Sequence, residues 1–490
     1  MRVVAGVDSS TQSTTVLLRD ADTGLILSVG RAAHPPTFPP VSEQVPRDWW
    51  TALVAAVADA RHAADVQPED IVAISVAAQC HGLVALDTNG AVIRPAKLWN
   101  DTTSAPQATD LIAEFGSNEL VERLGSVPTA SFTITKIAWL AAHEPENFAK
   151  MAYILLPHDW LTYRLSGRMV TDRSDASGTG YYDATHNRYD TEFLASIDAD
   201  RDWDANFPAV LAPSEAAGQI LPDVADELGV SRNAVIGAGS GDQHAGAVGL
   251  GARPGDLVWV LGTSGVVYGI SETPVFDSTG IVNCVADATG GFQPLICTLN
   301  STKVTDAIGR LLGVDHDELS RLALSAVRSA ERPVFAPYLD GERTPNFPTA
   351  RGAISGLDSG LSREQLALAA YEGVVIGLLR GQDALLALGI PASGRLIAIG
   401  GGANSPAYLQ TIADYTQREV HVTTASEAVA SGAAVQAASV LLGSSIQQVR
   451  DAWAPDFEVI SRPRDGGSID EVIARYASTA GFAAHLGSGA

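Results

Sequence analysis

The chain has 490 residues, 46% of them hydrophobic and 18% charged, with a formal net charge of -24. Length allows roughly three domains of about 150 residues, or fewer large α/β units, and the apolar content argues against disorder as the main theme. So acidic a chain repels nucleic-acid backbones, and any phosphate it handles must be met by backbone N–H groups, helix N-termini or a metal ion.

Residues 3–30 predict three strands, Val3–Asp8, Thr14–Arg19 and Leu25–Gly30, in an antiparallel meander with a turn at "DADTG". "HPPTFPPV" cannot be regular structure. "PRDWWTALVAAVADARHAA" has helical spacing, with Asp48 as its expected N-cap. "DIVAISVAAQ" is an apolar strand of the kind buried in a parallel sheet. Strands and helices go on alternating, which predicts the α/β class.

Two later stretches echo the start. Residues 256–270, "DLVWVLGTSGVVYGI", again run from an apolar strand through a small-residue turn into an apolar strand. Residues 396–417, "LIAIGGGANSPAYLQTIADYTQ", run from strand through a glycine turn into a helix. The echo predicts a duplicated fold whose halves meet across a cleft, with the two hairpin turns facing each other. "AVIGAGSGDQHAGAVGLGARPG" (234–255) holds the expected boundary, giving domains 1–245 and 246–490. Beyond about residue 440, "SRPRDGGS" reads as loop, "IDEVIARYASTAGFAAHL" as helix, and the last few residues as frayed.

Cys80, Cys284 and Cys297 have no C-x-x-C spacing, which argues against a disulfide scaffold. The N-terminus opens on a strand without the layout of a signal peptide, and no run reaches the roughly 18 apolar residues of a membrane span. The expected location is the cytoplasm, with no membrane and no nucleic-acid partner.

The stretch "GVDSSTQSTTVLLRD" (6–20) ends a strand on Asp8 and turns through Ser9, Ser10, Thr11, Ser13, Thr14 and Thr15. A plain hairpin would favour Asn-Gly or Asp-Gly. Small residues let backbone N–H groups approach phosphate oxygens, and a strand-end carboxylate can hold a hydrated Mg²⁺. The plainer alternative is a Ser/Thr-rich turn with a local Asx cap. Neither a Walker nor a Rossmann motif fits.

In "GSGDQHAG" (239–246), Asp242 stands among glycines that leave room for an alcohol whose proton it could accept; an N-cap is the other reading. His81, in "AAQCHGLVALD", follows a buried strand and lacks metal-spaced partners, so it is either a ligand-side group or a structural one. "LWNDTTS" sets Trp99 beside Asn100 and Asp101, an aromatic wall next to polar groups that suits a polyol, unless Trp99 is core. No Ser-His-Asp triad, paired-carboxylate glycosidase motif or G-x-S-x-G elbow can be made out.

Across roughly residues 3–440, these stretches resemble the FGGY family of carbohydrate kinases. "GVDSSTQSTT" and "VLGTSG" resemble its two phosphate hairpins, "GSGDQHAGAVG" its catalytic loop, and "IGGGANSPAYLQTIAD" its nucleotide segment. "PYLDGERTPNFP" (337–348) resembles a further family signature, and "QCHG", "LWND", "LPHDWLTYRLSG" and "SDASGT" resemble the branch that acts on xylulose.

The resemblance implies two actin-like, ribonuclease-H-like domains around a central cleft, the first holding the sugar and the second the nucleotide. It implies transfer of the ATP γ-phosphoryl group to the 5-hydroxyl of D-xylulose, with Mg²⁺. By position Asp242 would be the base and Asp8 the Mg²⁺ carboxylate. Cys80, His81, Trp99, Asn100, Asp101 and Asp242 would line the sugar. Ser10, Thr11, Gly262, Thr263 and Ser264 would face the phosphates, and Gly401, Gly402 and Asn404 the adenosine. Sugar and ATP are the implied partners, and assembly as a homodimer is left open. Three positions depart from many relatives. Ser10 stands for Gly, Thr15 for Lys, which removes a positive charge near the phosphates, and Cys80 for Met, which leaves more room at the sugar. The alternatives are a family member acting on ribulose, gluconate or another polyol, and an actin-like ATP-driven binding module.

Overall fold

A computed structural model describes residues 1–347, 349–464 and 469–486. Pro348 of the 337–348 motif, residues 465–468 of the loop expected over 461–468 and the last four residues, expected to fray, lie outside the described residues.

The opening meander forms as expected. β1 (Val3–Ser9), β2 (Ser13–Asp20) and β3 (Ile26–Ala33) pair antiparallel, with Asp8 opposite Thr15 and Thr15 opposite Arg31. The strand Ile71–Ala78 joins β1 in parallel, and the short strands Val235–Gly237 and Ser240–Gly241 pair in parallel with Ile71–Ala78. Ala216–Gln219 closes that edge antiparallel to Val235–Gly237. α1 (Pro46–Ala64) packs on β2 and β3. Its N-cap is Val45, not Asp48. Pro46 at the first helical position, with φ preset and no N–H to satisfy, starts the helix two residues before Asp48 and leaves that acid in the first turn.

The second sheet repeats this plan. Leu257–Leu261 and Gly265–Gly269 form an antiparallel hairpin, extended by Phe292–Thr298 and Asn283–Ala286. On the other side Leu396–Ile399 and Val420–Val422 add in parallel and Glu458–Ser461 closes the edge antiparallel. In both sheets a central hairpin is flanked on one side by parallel strands, so both parallel strand ends and both hairpin turns open into the space between the sheets.

The expected division at 245/246 falls inside the helix Asp242–Gly249. Beyond the second sheet's parallel strands, the helix Ala428–Leu442 returns to the first sheet and packs on β1, Ile71–Ala78 and Asp242–Gly249. The approach is close enough to require glycine: a Cβ at Gly6 would lie 1.9 Å from Ala430 O, and one at Gly432 1.8 Å from Ala245 O. Polar ties fix the same helix. Arg19 Nη1 donates to Ser431 Oγ (3.0 Å), and Gln436 accepts from Gly239 N (3.1 Å) and donates to Gly239 O (3.0 Å). The helix Ile469–Leu486 forms as expected, and it packs back on the second half's core. Among the described residues, no helix is long and apolar enough to cross a membrane.

Candidate functional site

Asp8 and Asp242 meet at the end of the Ile71–Ala78 strand. β1 brings Asp8 opposite Ala77, and Ser240–Gly241 runs beside Ala77 and Ala78 into the helix that begins at Asp242. Ser10 Oγ donates to Asp8 Oδ1 at 2.5 Å. Burial pushes the Asp8 carboxyl up to about 7; the Asp242 and Glu427 charges add to this, while Ser10 and Arg31 oppose it. Asp242 is pushed up to about 6 by burial, against hydrogen bonds from the Cys80 thiol (3.4 Å) and Gln243 N (2.7 Å). Asp242 does not act as an N-cap; Gly241 occupies that position.

Both carboxylates are costly to ionise here, and Asp8 forms no ion pair among the described residues. Such a group fits a cation. No cluster of three or more His, Cys, Asp or Glu side chains among the described residues could hold a metal alone. A Mg²⁺ at Asp8 would therefore take its other ligands from phosphates and water, as this ion commonly does.

His81 has a left-handed backbone, φ 65°, and Nδ1 lies 2.6 Å from Gly178 O. A carbonyl only accepts, so Nδ1 carries the proton and Nε2 is left as an acceptor. Burial and the nearby Lys136 charge push His81 down to about 3, so the imidazole is neutral. Phe132 stacks on it with centroids 5.1 Å apart. Gly178, from "SDASGT", has to be glycine, since a Cβ there would meet His81 Cε1 at 2.3 Å. The motif therefore acts by seating His81. "LPHDWL" lies deeper: buried His158 sits 3.1 Å from Asp159 Oδ1 and 3.5 Å from Asp172 and Asp175 oxygens, in a layer behind the pocket.

Trp99 is 43% exposed and its Nε1 donates to Thr11 Oγ1 at 3.0 Å, tying the aromatic wall to the first hairpin turn. It is not core. Asn100 stands beside it with a buried, unpartnered Oδ1, outside the pocket lining. Asp101 corrects the sequence expectation. It is fully buried, and its oxygens accept from Ser42 N (2.8 Å), Lys97 Nζ (3.0 Å), Thr103 N (3.0 Å) and Thr103 Oγ1 (2.5 Å). Burial works against its charge, but these donors outweigh it and hold the carboxyl below the usual range. Asp101 fastens the turn rather than facing the pocket.

Cys80, His81, Trp99 and Asp242 line one cavity of about 290 Å³, together with Thr11 of the first turn and Ser264 of the second. The two hairpin turns thus face each other, as the repeat predicted. Thr263 and Ser264 are exposed at the second turn, and Gly262 N donates to Ser264 O (3.2 Å). The turn Gly401–Asn404 packs against Leu261 at the base of that hairpin. The second half also supplies a wall that local sequence reading missed: Asn283, Leu295, Cys297 and Arg343. Only Arg343 belonged to a recognised motif. The positive charge missing at Thr15 is only partly made up, because the Glu427 charge bears on Asp8 more than that of its partner Arg31. Arg31, directly across the sheet, donates from Nε to Thr15 Oγ1 (3.1 Å), pairs with Glu427 (2.6 Å) and bears on Asp8.

The model of the N-terminal domain of FGGY carbohydrate kinases matches residues 3–249, and that of the C-terminal domain matches residues 257–441. The chain belongs to the FGGY family of carbohydrate kinases. This FGGY kinase is 43% identical over 468 residues to a xylulose kinase of Streptomyces rubiginosus, covering 94% of each chain. It is 44% identical over 452 residues to a xylulose kinase of Streptomyces coelicolor, covering 92% of this chain and 90% of that one. The crystal structure of a xylulose kinase from Bifidobacterium adolescentis superimposes with a TM-score of 0.87 at 37% identity, over 97% of this chain and 99% of that one. A gluconate kinase from Lactobacillus acidophilus matches with a TM-score of 0.88 over 99% of this chain and 97% of that one; at 20% identity it speaks for the fold alone. The FGGY kinase fold is two actin-like domains around a cleft, and the family's activity is ATP-dependent phosphorylation of a carbohydrate.

Proposed function

We propose that this FGGY kinase transfers the γ-phosphoryl group of ATP to the 5-hydroxyl of D-xylulose, giving D-xylulose 5-phosphate and ADP. The names of its relatives support that sugar. The observation that carries the reading is one pocket shared by the Asp242 carboxylate, the neutral His81 imidazole and both hydroxyl turns.

The sugar lies against Trp99, with Cys80 and the Nε2 acceptor of His81 meeting its hydroxyls. Asp242 takes the proton of the terminal hydroxyl as that oxygen bonds to the γ-phosphorus and the bond to the ADP oxygen breaks. Ser10, Thr11, Gly262, Thr263 and Ser264 line the phosphate path, and Gly401, Gly402 and Asn404 face the adenosine. Asp8 would hold Mg²⁺, which would supply charge neutralisation at the phosphates.

A site that pairs each hydroxyl rejects an epimer, because a mismatch strands buried polar groups. Sugar-dependent ADP release should therefore favour D-xylulose over D-ribulose at least roughly tenfold in kcat/KM, about 1.4 kcal/mol. Glycerol and gluconate serve as controls. A better rate with ribulose, gluconate or glycerol replaces the sugar, and ADP release independent of any sugar favours an ATP-driven binding module.

A further inference from the structure

The motif "PYLDGERTPNFP" has no role in the reaction derived above. Its loop is anchored with unusual thoroughness. Glu342 is buried and its carboxylate accepts from Leu299 N (2.5 Å), Arg343 N (2.8 Å) and Asn300 Nδ2 (2.9 Å). Thr344 Oγ1 donates to Cys297 O at 2.6 Å, and Asn300 Nδ2 also donates to Gly341 O at 2.8 Å. These bonds pin the loop to the end of the Phe292–Thr298 strand, where Cys297, Thr298 and Leu299 line the pocket. Between the two anchors, Arg343 lines the cavity from the second half, as Asp242 and His81 do from the first, and its charge bears on His81.

Among the described residues, Arg343 is the only lysine or arginine lining that cavity. Among the described residues its guanidinium has neither a hydrogen-bond acceptor nor an ion-pair partner. Other arginines whose charges reach the site are committed: Arg31 to Glu427 and Thr15, Arg173 to Asn187, Ala184 and Gly291. In a chain with a net charge of -24, carboxylates to pair with are plentiful, yet this half-buried cation is held away from them. Holding a partly desolvated charge unpaired is unfavourable unless a ligand completes it.

We propose that Arg343 holds the phosphoryl group in transit between ATP and the sugar oxygen. The proposal rests on the kinase reaction above. The group in transit spreads negative charge over its equatorial oxygens, and catalysis of this step is chiefly positioning and charge stabilisation. A planar guanidinium fork meets two such oxygens at once, which an ammonium does not. Arg343 comes from the half opposite Asp242, so it meets the phosphoryl group across from the base. The rigid Glu342 and Thr344 anchors keep it preorganised.

The test uses the full-length chain with Arg343→Ala, Arg343→Gln and Arg343→Lys, each checked by thermal melting. Turnover is read in a coupled assay, and calorimetry gives affinities for D-xylulose and for D-xylulose 5-phosphate. The Ala and Gln variants should lose about 10²–10³-fold in kcat. They should bind the sugar within about twofold of the parent but the sugar phosphate at least tenfold more weakly, with Lys intermediate. Unchanged kcat overturns the proposal, as does a loss of sugar affinity as large as the loss for the sugar phosphate. If the parent prefers another sugar, the sugar assignment fails alone, and the same variants are read with that sugar and its phosphate. A parent that phosphorylates no sugar overturns both.

Discussion

Cys80 Sγ lies 3.4 Å from Asp242 Oδ1, so a thiol donates to the carboxylate proposed above as the base. A methionine there could only accept. The bond stabilises the charged carboxylate and partly offsets the burial that pushes Asp242 up to about 6.

Removing the donor should therefore raise that pKa further. In Cys80→Ala and Cys80→Met, the acid limb of the kcat/KM profile should move to higher pH by roughly 0.3–0.7 unit, because a protonated Asp242 cannot act as base. An unmoved limb would assign it to another group.

Asp242→Asn should keep sugar binding, followed by calorimetry, and lose about 10²–10⁴-fold in turnover, followed by a coupled assay. Near-normal turnover would refute its role as base.

Asp8 carries a second consequence. Its pKa is raised in the fold, so its ionisation opposes folding; the cost is absent below the ordinary carboxylate range and complete once pH passes about 7. Asp8→Asn should thus melt higher than the parent at pH 8, by the equivalent of roughly 1–3 kcal/mol, with the gap closing towards pH 4. Its use of MgATP should weaken far more than its sugar binding. Loss of sugar affinity with MgATP use intact would make Asp8 a sugar ligand.

Two glycines in helices should respond in opposite directions to alanine. At Gly432 the new Cβ would meet backbone 1.8 Å away, so overpacking should cost roughly 2–4 kcal/mol. At exposed Gly481 nothing lies within 4 Å, and Gly481→Ala should gain roughly 0.5–1 kcal/mol from helix propensity. Denaturant melts of both variants read the contrast, and equal shifts would refute the packing argument.

The hairpins, the helix over 46–64 and the duplication were legible because each is written in local periodicity and turn chemistry. So were Asp8 and Asp242 as candidates, since strand ends and glycine-rich junctions are local features. What escaped depends on distant pairing. Asp101 looked free in "LWNDTTS", yet Ser42 and Lys97 claim it. Arg31 reaches Thr15 only because β3 pairs with β2 in that register. Phe132 and Arg343 reach the pocket from loops whose positions only the assembled sheets define.

The helix Ala428–Leu442 completes the apolar face formed by Val4, Leu17 and Ala73. It follows the first sheet's last strand by roughly 190 residues. A ribosome adding about 5–20 residues per second leaves that face uncovered for on the order of 10–40 s. The N-terminal half emerges from the exit tunnel early and has to remain unfinished until nearly the whole polypeptide has been translated.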